Sequence, residues 1–412
     1  MQAFLAPLKE LADYQEIVLK RKKETGFIQI AGCVNSQKTH LMYALGDGFD
    51  YRIVVFSSEE KAKQAYEEYR FLEENVYLYP AKDLLFYQAD VKGSFLVSRR
   101  MEVIRAVAEK EEKETLTVIT TIDAFLDGLP SPDEIKERRI RILGTDTVDF
   151  TKLQGALSDL GYSREEQIDS PGQFAVRGGI LDVYPLTEEM PVRIELWGDE
   201  IDSIRTFDVE SQRSVENLDE ITIYPAREGS AKEDTVSFLD YFPREESIFF
   251  LDEPQRLYER AKEVEEEYNE SMENRESAGV TVGEQSLLNI YPIKKIAERL
   301  NVRYGVALTM LETKCGPFKV RSLYSFQAKG VNPYNNSCEL LTRDLKRLKR
   351  SGYRVVLLSG SRTRAKRLAE DLRDYDLSSF YSEDMEREVS PGEILVAYGH
   401  VTEGYELSLI HI

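Results

Sequence analysis

The sequence predicts an α/β protein. A parallel-sheet domain with a degenerate phosphate-binding loop is interrupted by a small antiparallel-rich α+β domain, and a second small α/β domain follows. Three observations carry this prediction. Apolar runs alternate with helical patterns from FIQIAG to LTVITT, short alternating segments replace them from about Arg138, and the buried run SIFFLDEP then returns to the character of the first sheet. The expected boundaries are 1–137 for the first part of the sheet domain and 138–224 for the inserted domain. The sheet domain returns over 225–325, and the last domain spans 326–412.

In the first segment the order is FIQIAG, THLMYAL, RIVVFSS, EEKAKQAYEEYRFLEE, NVYLYPA, SRRMEVIRAVAEKEEKE and LTVITT, strand and helix by turns. Ser57 with Glu60 three positions on has capping-box spacing and predicts where the second of these helices starts. The inserted segment opens with a helix, TKLQGALSDLGY, and continues with the strands QFAVRGGILDVYP, PVRIELW, EIDSIRTFD and EITIYP. SIFFLDEP leads into the acidic helix RLYERAKEVEEEYNESMENRE. The last segment reads as helix LTRDLKRLKR, strand RVVLLSG, helix RTRAKRLAEDLRDY and strand EILVAYG. The chain stops in the apolar ELSLIHI, which predicts that it is the front of a longer protein.

A chain of 412 residues is long enough for several cores. It has no apolar run approaching a membrane span and no charged-then-apolar leader at Met1, so the expected location is the cytoplasm, without a membrane partner. Cys33, Cys315 and Cys338 are odd in number and lack metal-ligand spacing, which predicts reduced structural thiols and no metal. A net charge of −20 opposes nucleic-acid binding by the chain as a whole. Residues 343–367 are the local exception, with ten basic side chains against Asp344 alone. Such a run can be the solvated face of an amphipathic helix over Leu341, Leu345 and Leu348, or a surface for DNA or for docking within the protein.

The stretch AGCVNSQKTH after the first strand approaches G-x-x-x-x-G-K-[ST], the loop whose inward N–H groups, Lys and Ser/Thr hold phosphates and Mg²⁺. Gly32, Lys38 and Thr39 are in place, but Gln37 occupies the second glycine, where a side chain projects into the space phosphates need. The stretch is therefore either a degenerate nucleotide loop or an ordinary turn with Lys38 solvated at a helix start. Asp252 and Glu253 form a strand-end pair of the kind that holds Mg²⁺ in an ATPase, here a vestigial acidic pair or a plain strand end before Pro254. His40, His400 and His411 are scattered, so no catalytic residues are assigned and the chain is not read as an enzyme. The alternative is an ATPase or helicase fragment using Lys38, Thr39, Asp252 and Glu253.

The inserted segment offers a different chemistry. Arg177 precedes a Gly-Gly bend, while Arg193 and Trp197, four apart on one strand, share a face. Arginine beside the only tryptophan has the composition of a binding hot spot, unless Trp197 is core and both arginines pair with nearby acids. Residues 161–205 carry four basic and ten acidic side chains, which favours a protein over DNA as partner.

QFAVRGGILDVYP, IELWGDEIDSIRTFDVESQRS and ITIYPARE resemble the amino-terminal part of the bacterial transcription-repair coupling factors and, more distantly, the excinuclease subunit UvrB. The resemblance covers essentially the whole chain. It implies a UvrB-like, RecA-like sheet domain interrupted by a domain that binds the damage-recognition subunit UvrA, with Arg177, Arg193 and Trp197 as partner-binding residues. It implies a non-catalytic recruiting module in transcription-coupled nucleotide-excision repair. It further implies that the parts that bind RNA polymerase and translocate on DNA, and with them ATP and Mg²⁺, lie in a missing carboxy-terminal region, so no cofactor is expected here. UvrB itself has a working phosphate loop and a long DNA-clamping hairpin, where this chain has Gln37 and the short stretch YQADVKGSFLVSRR.

Overall fold

The computed structural model describes residues 2–82, 90–226, 235–277, 290–334, 337–384 and 386–407. Helices α1 (Gln2–Lys9) and α2 (Ala12–Lys20) lead into β1 (Gly26–Ala31), α3 (Asn35–Gly46), β2 (Tyr51–Phe56), α4 (Glu59–Tyr69), β3 (Val76–Tyr79), α5 (Asp90–Glu109) and β4 (Leu116–Thr121). Strands β1, β2 and β4 are buried along their whole length, as strands covered by helices on both faces must be. The helix after β2 starts one residue later than expected. Ser58, not Ser57, is the N-cap, and its Oγ accepts from the Lys61 N–H at 3.5 Å. Most of the stretch YQADVKGSFLVSRR belongs to α5, and residues 83–89, which include its start, lie outside the described residues.

Short elements α6 (Ile122–Phe125), β5 (Gly128–Leu129) and α7 (Pro132–Arg138) close this segment. The next unit contains β6 (Ile140–Leu143), α8 (Phe150–Asp159), β7 (Ser163–Glu165), β8 (Gln173–Arg177), β9 (Ile180–Val183), β10 (Val192–Trp197), β11 (Glu200–Phe207), β12 (Ser214–Asn217) and β13 (Glu220–Ile223). Its main sheet has the order β12-β11-β10-β9-β8-β7, antiparallel except where β7 joins β8. Leu153 and Leu157 of α8 pack on one face of that sheet against Phe174, Leu181, Ile194 and Ile204. The other face is left with a small apolar cluster and a set of charged side chains.

The chain then returns through β14 (Val236–Ser237), β15 (Ser247–Asp252), α9 (Pro254–Ser277), α10 (Ile293–Leu300), β16 (Tyr304–Leu308) and β17 (Val320–Ser325). The large sheet has the order β17-β1-β16-β15-β2-β4-β3, and every pairing in it is parallel. Late strands lie between early ones, so the sheet cannot be completed until the chain has passed through the inserted unit. Two apolar clusters cover its faces. The last unit has β18 (Ala328–Gly330), α11 (Cys338–Arg350), β19 (Val355–Ser359), α12 (Arg362–Asp371), β20 (Ser379–Tyr381), β21 (Ile394–Tyr398) and β22 (Tyr405–Leu407). Its parallel sheet is ordered β19-β21-β20, with β18 and β22 forming a separate antiparallel ribbon. Residues 408–412 of ELSLIHI and 227–228 of ITIYPARE lie outside the described residues. No helix among the described residues is long and apolar enough to cross a membrane.

Arg100 of α5 is the largest fully buried side chain. Its guanidinium lies 4.2 Å from the Tyr79 ring centroid, donates to the Pro80 carbonyl at 2.6 Å and pairs with the buried Asp127 at 2.8 Å. Arg100→Met would leave the Asp127 carboxylate buried without its cation. The expected loss is about 3 kcal/mol or more of unfolding free energy, measured by guanidinium titration.

Candidate functional site

Two places collect the residues singled out by sequence. The first lies at the carboxyl ends of β1 and β15, where open parallel sheets bind ligands. Gly32 follows β1 with φ +80°, and a Cβ there would meet the Phe326 carbonyl oxygen at 2.1 Å. Its glycine is thus explained by a crossing backbone as well as by its φ. Helix α3 starts at Asn35, inside the stretch that would form the phosphate cradle. The Lys38 N–H bonds to the Val34 carbonyl at 3.0 Å, and the Val34 N–H donates to Gln37 Oε1 at 3.2 Å. Gln37 is fully buried, and its side chain takes up an N–H that an open loop would present to phosphate.

Lys38 is not solvated at a helix start, one of the two readings its sequence allowed. It is buried, with Nζ 2.6 Å from Asp252 Oδ1 and 2.6 Å from Glu253 Oε1. Lys61 of α4 reaches the other Asp252 oxygen at 3.2 Å, and the Met310 N–H donates to Glu253 Oε1 at 2.8 Å. Burial pushes the Lys38 ammonium down, but the two carboxylates outweigh it and hold its pKa above the usual lysine value. Two ammonium and two carboxylate groups thus form a neutral internal cluster. Lys38, the group a nucleotide phosphate would need, is already engaged within it. Burial also raises the Cys33 thiol beside this cluster to about 12, which makes it a poor nucleophile.

The start of α3 is covered by the segment before β22. Ser36 Oγ donates to Glu68 Oε1 at 2.7 Å, the Thr402 N–H donates to the same oxygen at 2.7 Å, and the Glu403 N–H donates to Ser36 Oγ at 3.0 Å. Thr39 lines a neighbouring cavity of about 310 Å³ with His40, Phe71, Tyr398 and His400. His40 Nε2 lies 3.0 Å from the Phe4 carbonyl, which can only accept, so Nε2 carries the hydrogen and Nδ1, at 2.6 Å, accepts from the Tyr405 hydroxyl. Burial lowers its pKa to about 4. Lys61, Glu68 and the 402–405 segment carried no sequence signal. Their roles arise from long-range packing.

The second place is the uncovered face of the inserted sheet. Asp182 of β9 is buried at its centre. Arg193 of β10 grips it with Nε at 2.6 Å and Nη2 at 2.9 Å, while Arg177 of β8 reaches it with Nη2 at 2.7 Å. The Arg193 guanidinium also donates to Gln212 at 3.0 Å and stacks 4.4 Å above the Phe207 ring centroid. Arg193 is therefore largely enclosed, whereas the Arg177 side chain is 49% exposed. Trp197 is not core: it is 84% exposed. The Leu196 N–H donates to the Gly179 carbonyl at 2.8 Å, which sets Trp197 just past the β8–β9 turn. Glu195 and Arg205 pair next to them. Asp182 was the residue missed; its only sequence signal is opposite charge to Arg193 across adjacent strands.

Residues 140–228, which hold this sheet with its helix on one face and arginines on the other, match the family model of the UvrB interaction domain. Over most of its length the chain is similar to the amino-terminal region of transcription-repair-coupling factors. The factor from Bacillus subtilis (strain 168) is 23% identical over 98% of this chain and 39% of its own length. Those from Staphylococcus haemolyticus (strain JCSC1435) and Staphylococcus epidermidis (strain ATCC 12228 / FDA PCI 1200) are 23% and 24% identical over 82% of this chain and 33% of their own. The chain spans between a third and two fifths of the length of these curated relatives.

Lys38→Ala is expected to act first on stability, lowering the unfolding free energy by about 3 kcal/mol because Asp252 and Glu253 lose their shared cation. A fluorescent ATP analogue is expected to give no saturable signal in the micromolar range; micromolar binding that Lys38→Ala removed would overturn this assignment. His40 supplies a pH dependence. Its native pKa of about 4 lies below the unfolded value of 6.5, so the unfolded chain binds the extra proton as pH falls between them and stability is lost in that window. The contribution is about 1.4 kcal/mol per pH unit. Urea titrations through this range should show a shallower decline for His40→Gln.

Proposed function

We propose that this chain is a UvrA-recruiting module of a transcription-coupled repair factor, acting in the cytoplasm, and that it does not itself catalyse a reaction. The observation that carries the reading is the matched segment 140–228 presenting two exposed side chains of interface type, Trp197 at 84% and Arg177 at 49%, on an otherwise well-packed sheet. A large exposed aromatic plane is costly to leave in water, and tryptophan and arginine are typical interface anchors. One Arg177 nitrogen is used on Asp182, leaving other N–H donors for a partner carboxylate. Arg193 acts through position: held by Asp182, Gln212 and Phe207, it fixes the Asp182 carboxylate and with it Arg177. The buried Gln37, which takes up the Val34 N–H and fills the place of the loop's second glycine, supports a non-catalytic sheet domain. In this reading, contacts with RNA polymerase and ATP-driven movement on DNA belong to sequence outside these 412 residues.

Calorimetric titration with purified UvrA tests the reading. Trp197→Ala should weaken binding by about 30-fold, roughly 2 kcal/mol, with no loss of thermal stability because the side chain packs on little. Arg193→Ala should weaken binding and also lower stability, since it strips a buried carboxylate of its main partner. Unchanged UvrA affinity in the folded Trp197→Ala protein would remove this face from the interaction.

A further inference from the structure

The last unit carries a basic track that neither the loop nor the UvrA-directed face uses. Helix α11 lies over edge strand β19 and α12 over β21 and β20. The two share one apolar cluster through Leu345, Leu348, Ala365 and Ala369, so they run side by side on one face of the sheet. On α11, the Tyr334 hydroxyl donates to Asp344 at 3.2 Å and Arg347 reaches Glu406 at 2.7 Å, so that flank faces the β18–β22 ribbon. Lys346, two residues and roughly 200° further round the helix, lies on the opposite flank, toward α12, with Arg343 and Arg350 on the outer surface between. Arg343, Lys346, Lys349 and Arg350, and Arg364 of α12, have side chains with no ion-pair partner among the described residues.

We propose that this track is a docking site for the phosphate backbone of double-stranded DNA. Three features favour that partner. The charges from Arg343 to Arg350 extend over about 10 Å of helix, the rise of three phosphates along one strand. Their spacing at i, i+3 and i+7 makes a continuous stripe, and in a chain of net charge −20 they form a local concentration of unpaired positive charge. The stripe itself has no aromatic side chain, so it lacks both the stacking platform that single strands use and the apolar anchor that a protein partner would bury against. It also has no Asn or Gln to read adenine, and its arginines sit on an open convex surface, so binding would be independent of sequence.

The test is fluorescence anisotropy of the full chain with a labelled 30-base-pair duplex at several salt concentrations. Saturable binding at 50 mM salt is expected, with a log–log salt slope of about −4.5 if the five unpaired cations each meet a phosphate. The triple reversal R343E/K346E/R350E should weaken binding at least tenfold and flatten the slope while leaving the melting temperature unchanged. The milder R343Q/K346Q/R350Q should fall between. Absence of duplex binding by the folded chain at 50 mM salt would overturn the proposal, as would equal binding by the reversed variant. Tighter binding of a single-stranded oligonucleotide would overturn it in favour of another nucleic-acid form. Equal competition by polyglutamate of matched charge would overturn it in favour of an acidic protein surface.

Discussion

The ion cluster of Lys38, Lys61, Asp252 and Glu253 holds together two parts of the sheet domain that the chain makes far apart. Lys38 and Asp252 are 214 residues apart in sequence, on either side of the inserted unit, yet their charged atoms lie 2.6 Å from one another. A buried ammonium alone would be expensive to desolvate, and so would either buried carboxylate. Brought together they compensate, but only when β15 lies between β2 and β16 with its end beside the start of α3. The electrostatics therefore reward the correct closure of an interrupted sheet, in the place where a nucleotide-binding relative would bring phosphate.

The same end of the sheet is tied to the last unit. Glu68 of α4 accepts from Ser36 and from the Thr402 backbone, and His40 is bonded to Phe4 on one side and Tyr405 on the other. Arg354 adds a two-point pair to Glu10, just after α1, at 3.0 and 2.7 Å. These contacts join the first helices, the loop helix and the carboxy-terminal ribbon. The start of α3, whose N–H groups would serve an anion in an open loop, meets protein groups in their place.

How much of this was legible in sequence follows from the range of each interaction. Period-2 and continuous apolar runs are local, so β1, β2, β4 and β15 and the antiparallel strands around Arg177 and Arg193 could be read directly. Gln37 announced a closed loop because one side chain at one backbone position suffices. The fate of Lys38 was not legible, since its partners are set by topology rather than spacing. Ser58 displaced Ser57 as cap although only Ser57 has a Glu three positions on, because the N-cap bond needs the Lys61 backbone N–H and not its side chain. Asp182 was hidden for a related reason: alternation assigns it to a face, but its two arginines come from neighbouring strands on either side.

The two charged clusters differ in net charge and in exposure. Around Lys38 two cations meet two anions, and the sum is zero in a buried volume with no exposed guanidinium. Around Asp182 two arginines share one carboxylate, so one positive charge is left over. It resides on Arg177, the half-exposed member. The enclosed Arg193 fixes the carboxylate, and the carboxylate fixes Arg177, so little side-chain freedom remains to be lost when a partner arrives. A surface that is acidic over most of this domain thus presents a single preorganised cation and an aromatic plane at one edge. In the proposed reading that combination suits an acidic protein contact with an apolar rim better than a polyanion, which would meet the surrounding carboxylates.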